Sequence, residues 1–594
     1  MRRTLPTVIL TLSIGALFSI APPSASFALS ALQGRQGPVV DETSEMRGML
    51  ERYETDRAGV NRFYNLSNSD VRLERMQVFY RHWQHELEAV DFNEMGQTGR
   101  IDYILFKNHL ALELSRIDHL RERIEGAVAL LPFSATIIAL EESRRRMEPL
   151  DPEKAAVLLE EMTDGIKELK KTLEDSLKAK RSDSEFYIRK SIVNRAAGMA
   201  SDLQRTLQRW YEYYGGFVPL FDWWTNTPYA KCDEILKDYI KFLREKILGY
   251  KEGEPDPVIG DPIGRDALLD ELAFEMIPYT PEELIALAEQ EYAWCESEYK
   301  RAARELGYGD DWHAALEYVK TLHVAPGKQD SLIRELAVEA IAYLDEHDLV
   351  TIPDLARETW RIEMMSLRAQ ETTPFFTYGG QKINVSYPTD GMTNEQKIMS
   401  MRGNNIHFSR ATVQHELIPG HHLQGFMGER YSTWRSPFRT AFLSEGWCLH
   451  WEMLLWDLGF PKTPENRMGM LFWRIHRCAR IIVSLKFHLG EMTPEEMIDF
   501  LVEKVGHERD GATSEVRRYV GESYGPLYQC AYLVGGWQLR ALHSEFVGSG
   551  QMTNREFHDT VLREGSIPIE MIRARLTSQR LTRDFSSEWR FRDR

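Results

Sequence analysis

The run Gln414-His415-Glu416-Leu417-Ile418-Pro419-Gly420-His421-His422-Leu423-Gln424 constrains this chain more than any other, because it sets two helix breakers inside a metal-ligand pattern. A His followed at once by a Glu, with further imidazoles within two turns, is the raw material of a zinc hydrolase site. Two imidazoles hold the ion, and the adjacent carboxylate takes a proton from the water that the ion activates. The usual arrangement is H-E-x-x-H on one continuous helix, since residues four apart share a face. Here the fourth position after His415 is Pro419, which ligates nothing, and His421 and His422 stand six and seven residues on. A regular helix returns His422 to the same face but about 10.5 Å along the axis. That is too far for both rings to reach one ion at about 2.0–2.1 Å. The helix must therefore break at Pro419-Gly420, where proline removes a backbone donor and glycine tolerates unusual dihedrals. Read as a two-residue bulge, the string becomes H-E-x-x-(PG)-H with His421 as the second ligand. His422 is the reserve, and the residues alone leave that choice open. The plain alternative is a turn carrying unrelated histidines.

A third ligand of this site type is a carboxylate. Phe442-Leu443-Ser444-Glu445-Gly446-Trp447-Cys448-Leu449-His450-Trp451-Glu452 reads as a buried helix, and a carboxylate inside it needs a partner, either a metal or an arginine. Glu445 ranks first for its small neighbour Gly446 and its apolar surroundings. Glu452, seven residues on, could share its face.

The combination H-E-L-I-P-G-H-H-L-Q, then E-G-W, then a late Tyr-rich segment resembles the bacterial family DUF885, whose members are similar to the helical zinc peptidases. That group includes oligopeptidases, Taq-type carboxypeptidases and angiotensin-converting enzyme. The resemblance covers roughly residues 260–570, with the N-terminal half matching only in helical texture. It implies a mainly α, two-lobed fold with a deep cleft, one Zn²⁺ and hydrolysis of short peptides. The 24 residues from His421 to Glu445 match the spacing expected for the third-ligand Glu and support the bulge. The family's Arg and His of the next helix fall at Arg480 and His488, but Ser484 stands where an Asp is expected. Its later Glu, Arg, Tyr, Pro, Gln and Tyr fall at Glu515, Arg518, Tyr519, Pro526, Gln529 and Tyr532, with one extra residue before Gln529.

The mechanism so implied has His415, His421 and Glu445 holding zinc and Glu416 as general base. Tyr532 or His488 steadies the oxyanion. Arg518, with Tyr519 and Arg480, is the candidate for substrate binding, an Arg being suited to clamp a peptide's free carboxylate. Two other functions remain open: an amide hydrolase acting on a small non-peptide or cell-wall substrate, and a non-catalytic helical binding protein.

Before the motif, apolar residues recur at three and four positions from about residue 46. Residues 46–250 read as an N-terminal helical region and 251–594 as the region of the zinc site, the two forming one catalytic unit. Pro374-Phe375-Phe376-Thr377-Tyr378-Gly379-Gly380 and Lys382-Ile383-Asn384-Val385 suggest a short hairpin just before the metal helix. The aromatic breaker from Tyr213 to Trp224 reads as packing between helical layers, with the lining of a substrate cleft as the alternative. Met1-Arg2-Arg3 and the apolar stretch Leu5 to Phe18, with a small-residue exit near Ala28, form a signal peptide over 1–28, and a polar tether follows over 29–45. No cysteine stands at the exit, so the expectation is an exported periplasmic or extracellular protein without a membrane anchor. The five cysteines are scattered and odd in number, which is no disulfide framework. A formal charge of −17 argues against nucleic acid as a partner.

Overall fold

The tetrapeptide Thr-Pro-Glu-Glu occurs at Thr280-Pro281-Glu282-Glu283 and Thr493-Pro494-Glu495-Glu496, and each time it starts a helix. The threonine side chain accepts the N–H three residues on, and the glutamate there accepts the threonine's own N–H. Proline fits the first helical position, whose N–H has no partner in any case. The same reciprocal cap without proline opens Asn394–Gly403 and Asn554–Arg563. Such local signals yield a mainly α chain, from Arg47–Phe63 to Ile569–Leu576, with one small sheet.

This computed structural model describes residues 44–178, 189–254, 256–370, 375–521 and 524–592, all within the unit Ser44–Arg594. The expected signal peptide, the tether up to residue 43, and Pro374 at the start of the expected hairpin lie outside the described residues.

Among the described residues, three large cores organise the helices and a fourth, smaller one seats the sheet. Leu50, Trp83 and Phe106 from the N-terminal region share one core with Ile418, Trp447, Leu539 and Ile572. A second gathers Leu284, Phe408, Ile481 and Leu533, and a third, around Trp210, Phe221 and Leu236, belongs to residues 127–248. A buried ion network joins the first core to the far end of the chain. Arg435 donates from Nε to Asp102 at 2.6 Å and from Nη1 to Glu564 at 2.6 Å, while Trp434 Nε1 donates to the other Asp102 oxygen at 2.7 Å.

The sheet has three strands in the order β1-β3-β2. β2 (Thr377–Tyr378) and β3 (Lys382–Val385) form the antiparallel pair expected from the sequence. β1 (Arg361–Met364) adds a parallel neighbour, pairing Arg361 with Lys382 and Met364 with Val385. Ile383 and Val385 turn inward onto Val413 and Leu417, which fixes the sheet against the helix that carries His415.

Two expectations change here. The parallel strand was not foreseen, and the aromatic breaker packs between layers only in part, through Phe221 in the third core. It forms the turn between Lys190–Tyr214 and Pro219–Phe242, where Phe217 and Trp223 are 81 and 82% exposed.

Removing one partner of a buried ion network leaves an uncompensated charge. Asp102→Ala is expected to cost about 3–5 kcal/mol in urea unfolding. A second prediction concerns Glu275, a buried carboxyl that accepts the Thr440 hydroxyl at 2.5 Å. Burial pushes its pKa up to about 8. The folded state then holds the proton more tightly than the unfolded chain, so stability falls as pH rises from about 4.5 to about 8. Glu275→Gln is expected to raise stability at pH 8 relative to pH 5 by ~1 kcal/mol or more, read from denaturation at both pH values.

Candidate metal centre

His415 and Glu416 end the helix Ile406–Glu416, whose first turn is capped by the Asn405 side chain. The helix stops because Pro419 lies ahead, and the chain reverses tightly through Leu417 to Gly420. The N–H of Gly420 reaches back to Gln414 O at 3.0 Å, and that of His422 to Leu417 O at 3.0 Å. Gly420 is required by space: a Cβ there would lie 1.7 Å from the His415 carbonyl oxygen. Trp447 Nε1 donates to Pro419 O at 2.8 Å and fixes the turn to the next helix. His421 then opens a new helix, His421–Gly428, with its ring centroid 5.0 Å from that of His415.

The helix Ala441–Asp457 supplies Glu445, Cys448 and Glu452. It meets the helix Tyr528–Phe546 through glycines, and a Cβ on Gly535 would lie 1.9 Å from Phe442 O. This approach brings Tyr528 and Tyr532, one turn apart, beside Glu445. Tyr528 donates its hydroxyl to Glu445 Oε1 at 2.5 Å. The other oxygen, Oε2, is buried without a hydrogen bond and lies 3.4 Å from His415 Nε2 and 3.3 Å from His421 Nε2. Two donors on one tetrahedral ion at about 2.0–2.1 Å stand about 3.3–3.4 Å apart, so these spacings fit a shared metal. On the far side of the His415 ring, Nδ1–H donates to Glu452 at 2.7 Å, which leaves Nε2 as the nitrogen available to an ion.

His415, His421 and Cys448 form a cluster able to hold a metal ion, with donor atoms within 4.8 Å of one another. Cys448 Sγ lies 3.4 Å from His421 Nδ1, the nitrogen that turns away from Glu445. One ring gives one nitrogen to one ion, so Cys448 and Glu445 compete for His421. Burial pushes the Cys448 thiol well up, and the charges of Glu445, Glu416 and Glu452 add to the effect, all opposing a thiolate. The electrostatics of the other donors differ. Burial works against charge on His415, but the neighbouring carboxylates of Glu445 and Glu452 outweigh it and bring the ring up to about 9. Burial also opposes the Glu445 charge, yet His421 and His415 hold that carboxyl well below its usual range.

His415, Glu416, His421, Glu445 and Glu452 line a cavity of about 330 Å³ together with Arg477, Arg480, Arg518, Tyr528 and Tyr532. Glu416 Oε2 accepts the backbone N–H of Tyr378 on β2 at 2.8 Å. Arg518 Nη2 donates to the Tyr532 hydroxyl at 3.4 Å. Arg480 donates to Glu515 at 2.8 Å and to the Tyr519 hydroxyl at 3.0 Å.

Three expected residues stand apart from this cluster. His422 is not positioned as a ligand: its Nε2 donates to Ala356 O at 2.9 Å and its Nδ1 faces the Tyr378 hydroxyl at 3.3 Å. His488 does not line the cavity. It lies more than two turns beyond Arg480 on Pro464–His488, near Asp261 and Arg123, and burial lowers its pKa to about 4. Tyr519 likewise lies behind the cavity wall, donating to Glu515 at 2.7 Å. Cys448 and Tyr528 were assigned no role from the sequence. The spacing of Glu445, Cys448 and Glu452, and of Tyr528 and Tyr532, at three and four residues was the available signal.

Residues 58–576 match the family model described as "Bacterial protein of unknown function (DUF885)". The chain belongs to this family. A comparison with curated proteins finds no match. Among solved structures, one from Shewanella oneidensis, described as "a putative lipoprotein of unknown function", has a TM-score of 0.64 at 16% identity, covering 90% of this chain and 100% of the other. Another, "the putative lipoprotein from Colwellia psychrerythraea", has a TM-score of 0.55 at 13% identity, covering 90% and 97%. Both share the fold. Their descriptions agree with the exported, periplasmic or extracellular location expected from the N-terminus. The word lipoprotein in both descriptions, said of those two proteins, runs against the expectation of a protein without a membrane anchor. Among the described residues no helix is long and apolar enough to cross a membrane.

Loss of a carboxylate that orients a ligating histidine lowers metal affinity about 10–100-fold. Glu452→Gln is expected to show that loss in competition with a chelating dye, without loss of helix content.

Proposed function

We propose that the protein is a zinc-dependent hydrolase of amide bonds in small substrates, short peptides among them. The observation that carries this reading is the position of Glu445 Oε2, equidistant from two imidazole nitrogens, with Glu416 held beside them. His415 Nε2, His421 Nε2 and Glu445 Oε2 would hold the ion. When bound, it would supply a Lewis acid and water activated at neutral pH.

The chain's own groups then have separable tasks. The Tyr378 N–H fixes one oxygen of Glu416, and among the described residues Oε1 has no hydrogen-bond partner. That oxygen accepts the proton of the attacking water and returns it to the leaving nitrogen. Of the two phenols, Tyr528 is committed to Glu445. Tyr532 keeps its proton because burial, and then the charge of Glu445, raise its pKa, so it can donate to the oxyanion that forms on the scissile carbonyl. The two-lobed peptidase shell with a deep cleft, and the assignment of the site to residues 251–594, belong to this proposal. The helical fold and the His415-Glu416 pair support them.

A second reading is a metal-holding protein without catalysis. It is favoured by the His415, His421 and Cys448 cluster, a donor set that can fix an ion for structure alone.

One set of variants separates the two. In the hydrolase, Glu416→Gln keeps one zinc per chain and loses about 10²–10⁴-fold in rate on a mixed peptide library. Cys448→Ser retains zinc, whereas Glu445→Gln loses it. Zinc lost in Cys448→Ser, with no cleavage by the wild type, would leave the metal-holding reading.

A further inference from the structure

One cation on the cavity wall has no task in this chemistry. Arg477 is 6% exposed and lines the cavity, and its Nε is buried without a hydrogen bond. Among the described residues its guanidinium makes no hydrogen bond and no ion pair. What it touches is aromatic: its Cζ lies 5.2 Å from the Trp473 ring centroid and 4.5 Å from that of Tyr532. Its neighbours on the same helix are engaged. Arg474 pairs with Glu291 at 2.5 Å, and Arg480 with Glu515 at 2.8 Å.

Charge at this end of the cavity is therefore unbalanced. Arg477, Arg480 and Arg518 face one carboxylate, Glu515, and Arg518 reaches it only at 3.7 Å. The Nη1 of Arg480 and the Nε of Arg518 are also buried without hydrogen bonds. A buried cation without a counter-ion is costly, and an anionic ligand entering the cavity removes that cost. A guanidinium offers paired N–H donors in one plane, the match for a carboxylate.

The position limits what such a ligand is. The Tyr532 ring lies between the two ends, its centroid 6.1 Å from that of His415 and 4.5 Å from Arg477 Cζ. Peptide chain spans about 3.3–3.6 Å per residue, so the gap between hydrolytic groups and cation takes one or two residues. We propose that Arg477, flanked by Arg518, receives the free terminal carboxylate of the substrate. The substrate class is then an acylated amino acid or short peptide, cut one or two residues before its C-terminus. The cut rests on the hydrolase reading above; the binding of the carboxylate does not.

The test compares acetyl-Ala-Ala-Phe as free acid and as C-terminal amide, titrated calorimetrically into zinc-loaded and chelator-stripped wild type. The free acid is expected to bind about tenfold or more tightly than the amide, with or without zinc. Arg477→Gln should bring the two within about twofold, and Arg477→Lys should restore part of the preference. Equal binding of acid and amide by the wild type, or binding of neither, overturns the proposal without need of a variant. So does a preference that persists in an Arg477→Gln protein of unchanged melting temperature. Retained preference with no cleavage by the zinc-loaded protein would sink the hydrolase reading and leave the carboxylate site standing.

Discussion

The approach of Gly420 to the carbonyl of His415 is the contact on which the site depends. The chain must reverse within four residues to bring a second imidazole against the first, and only a residue without a side chain can pass that close. The reversal is then held from outside, by the Trp447 indole on Pro419 O. Trp447 sits on the same helix as Glu445, so the residue that locks the turn also sets the carboxylate opposite the histidines. A fourth helix joins by the same device, glycine against backbone, where Gly446 meets Gly535. Backbone contacts, less adjustable than side-chain packing, thus set the spacing of His415, His421, Glu445 and the two tyrosines.

The cavity is electrically divided. At one end three glutamates surround two histidines, and there burial opposes the charges of His415 and Glu445 while their oppositely charged neighbours restore them. At the other end three arginines share Glu515, whose carboxyl Arg480 and Arg518 hold well below its usual range despite burial. Tyr532 stands between the ends, stacked near His415 and touching the arginines through its ring face. Opposite charges at the two ends orient any ligand that is polar at one end and anionic at the other.

Much of this was legible because it is local. Proline and glycine act on their own neighbours, so the break after Glu416 and the displacement of the second histidine followed from residue types. Thr280 and Thr493 likewise announced their helices. What escaped is tertiary. His488 continues the polar series of its helix, yet the helix carries it past the cavity toward Asp261. Choosing His421 over His422 needed the partners of both rings, and Ala356, which receives His422, is 66 residues away. Strand β1 has four mostly exposed residues and exists through pairing with β3, so its own sequence carries little signal. The tip at Phe217 and Trp223 reads as core from composition alone, and only its place at the end of a helical hairpin leaves it in solvent.

The five cysteines are all buried and unbridged. Burial pushes the thiols of Cys232, Cys448, Cys478 and Cys530 up, to about 11 for Cys232. Disulfide exchange requires a thiolate within reach of its partner, and these groups offer neither charge nor access. An exported protein built this way has no crosslink among its five cysteines for a folding catalyst to form. Once the helices close over the sulfurs, burial itself guards them from misbridging, and the packed core does the work that crosslinks do in other exported proteins.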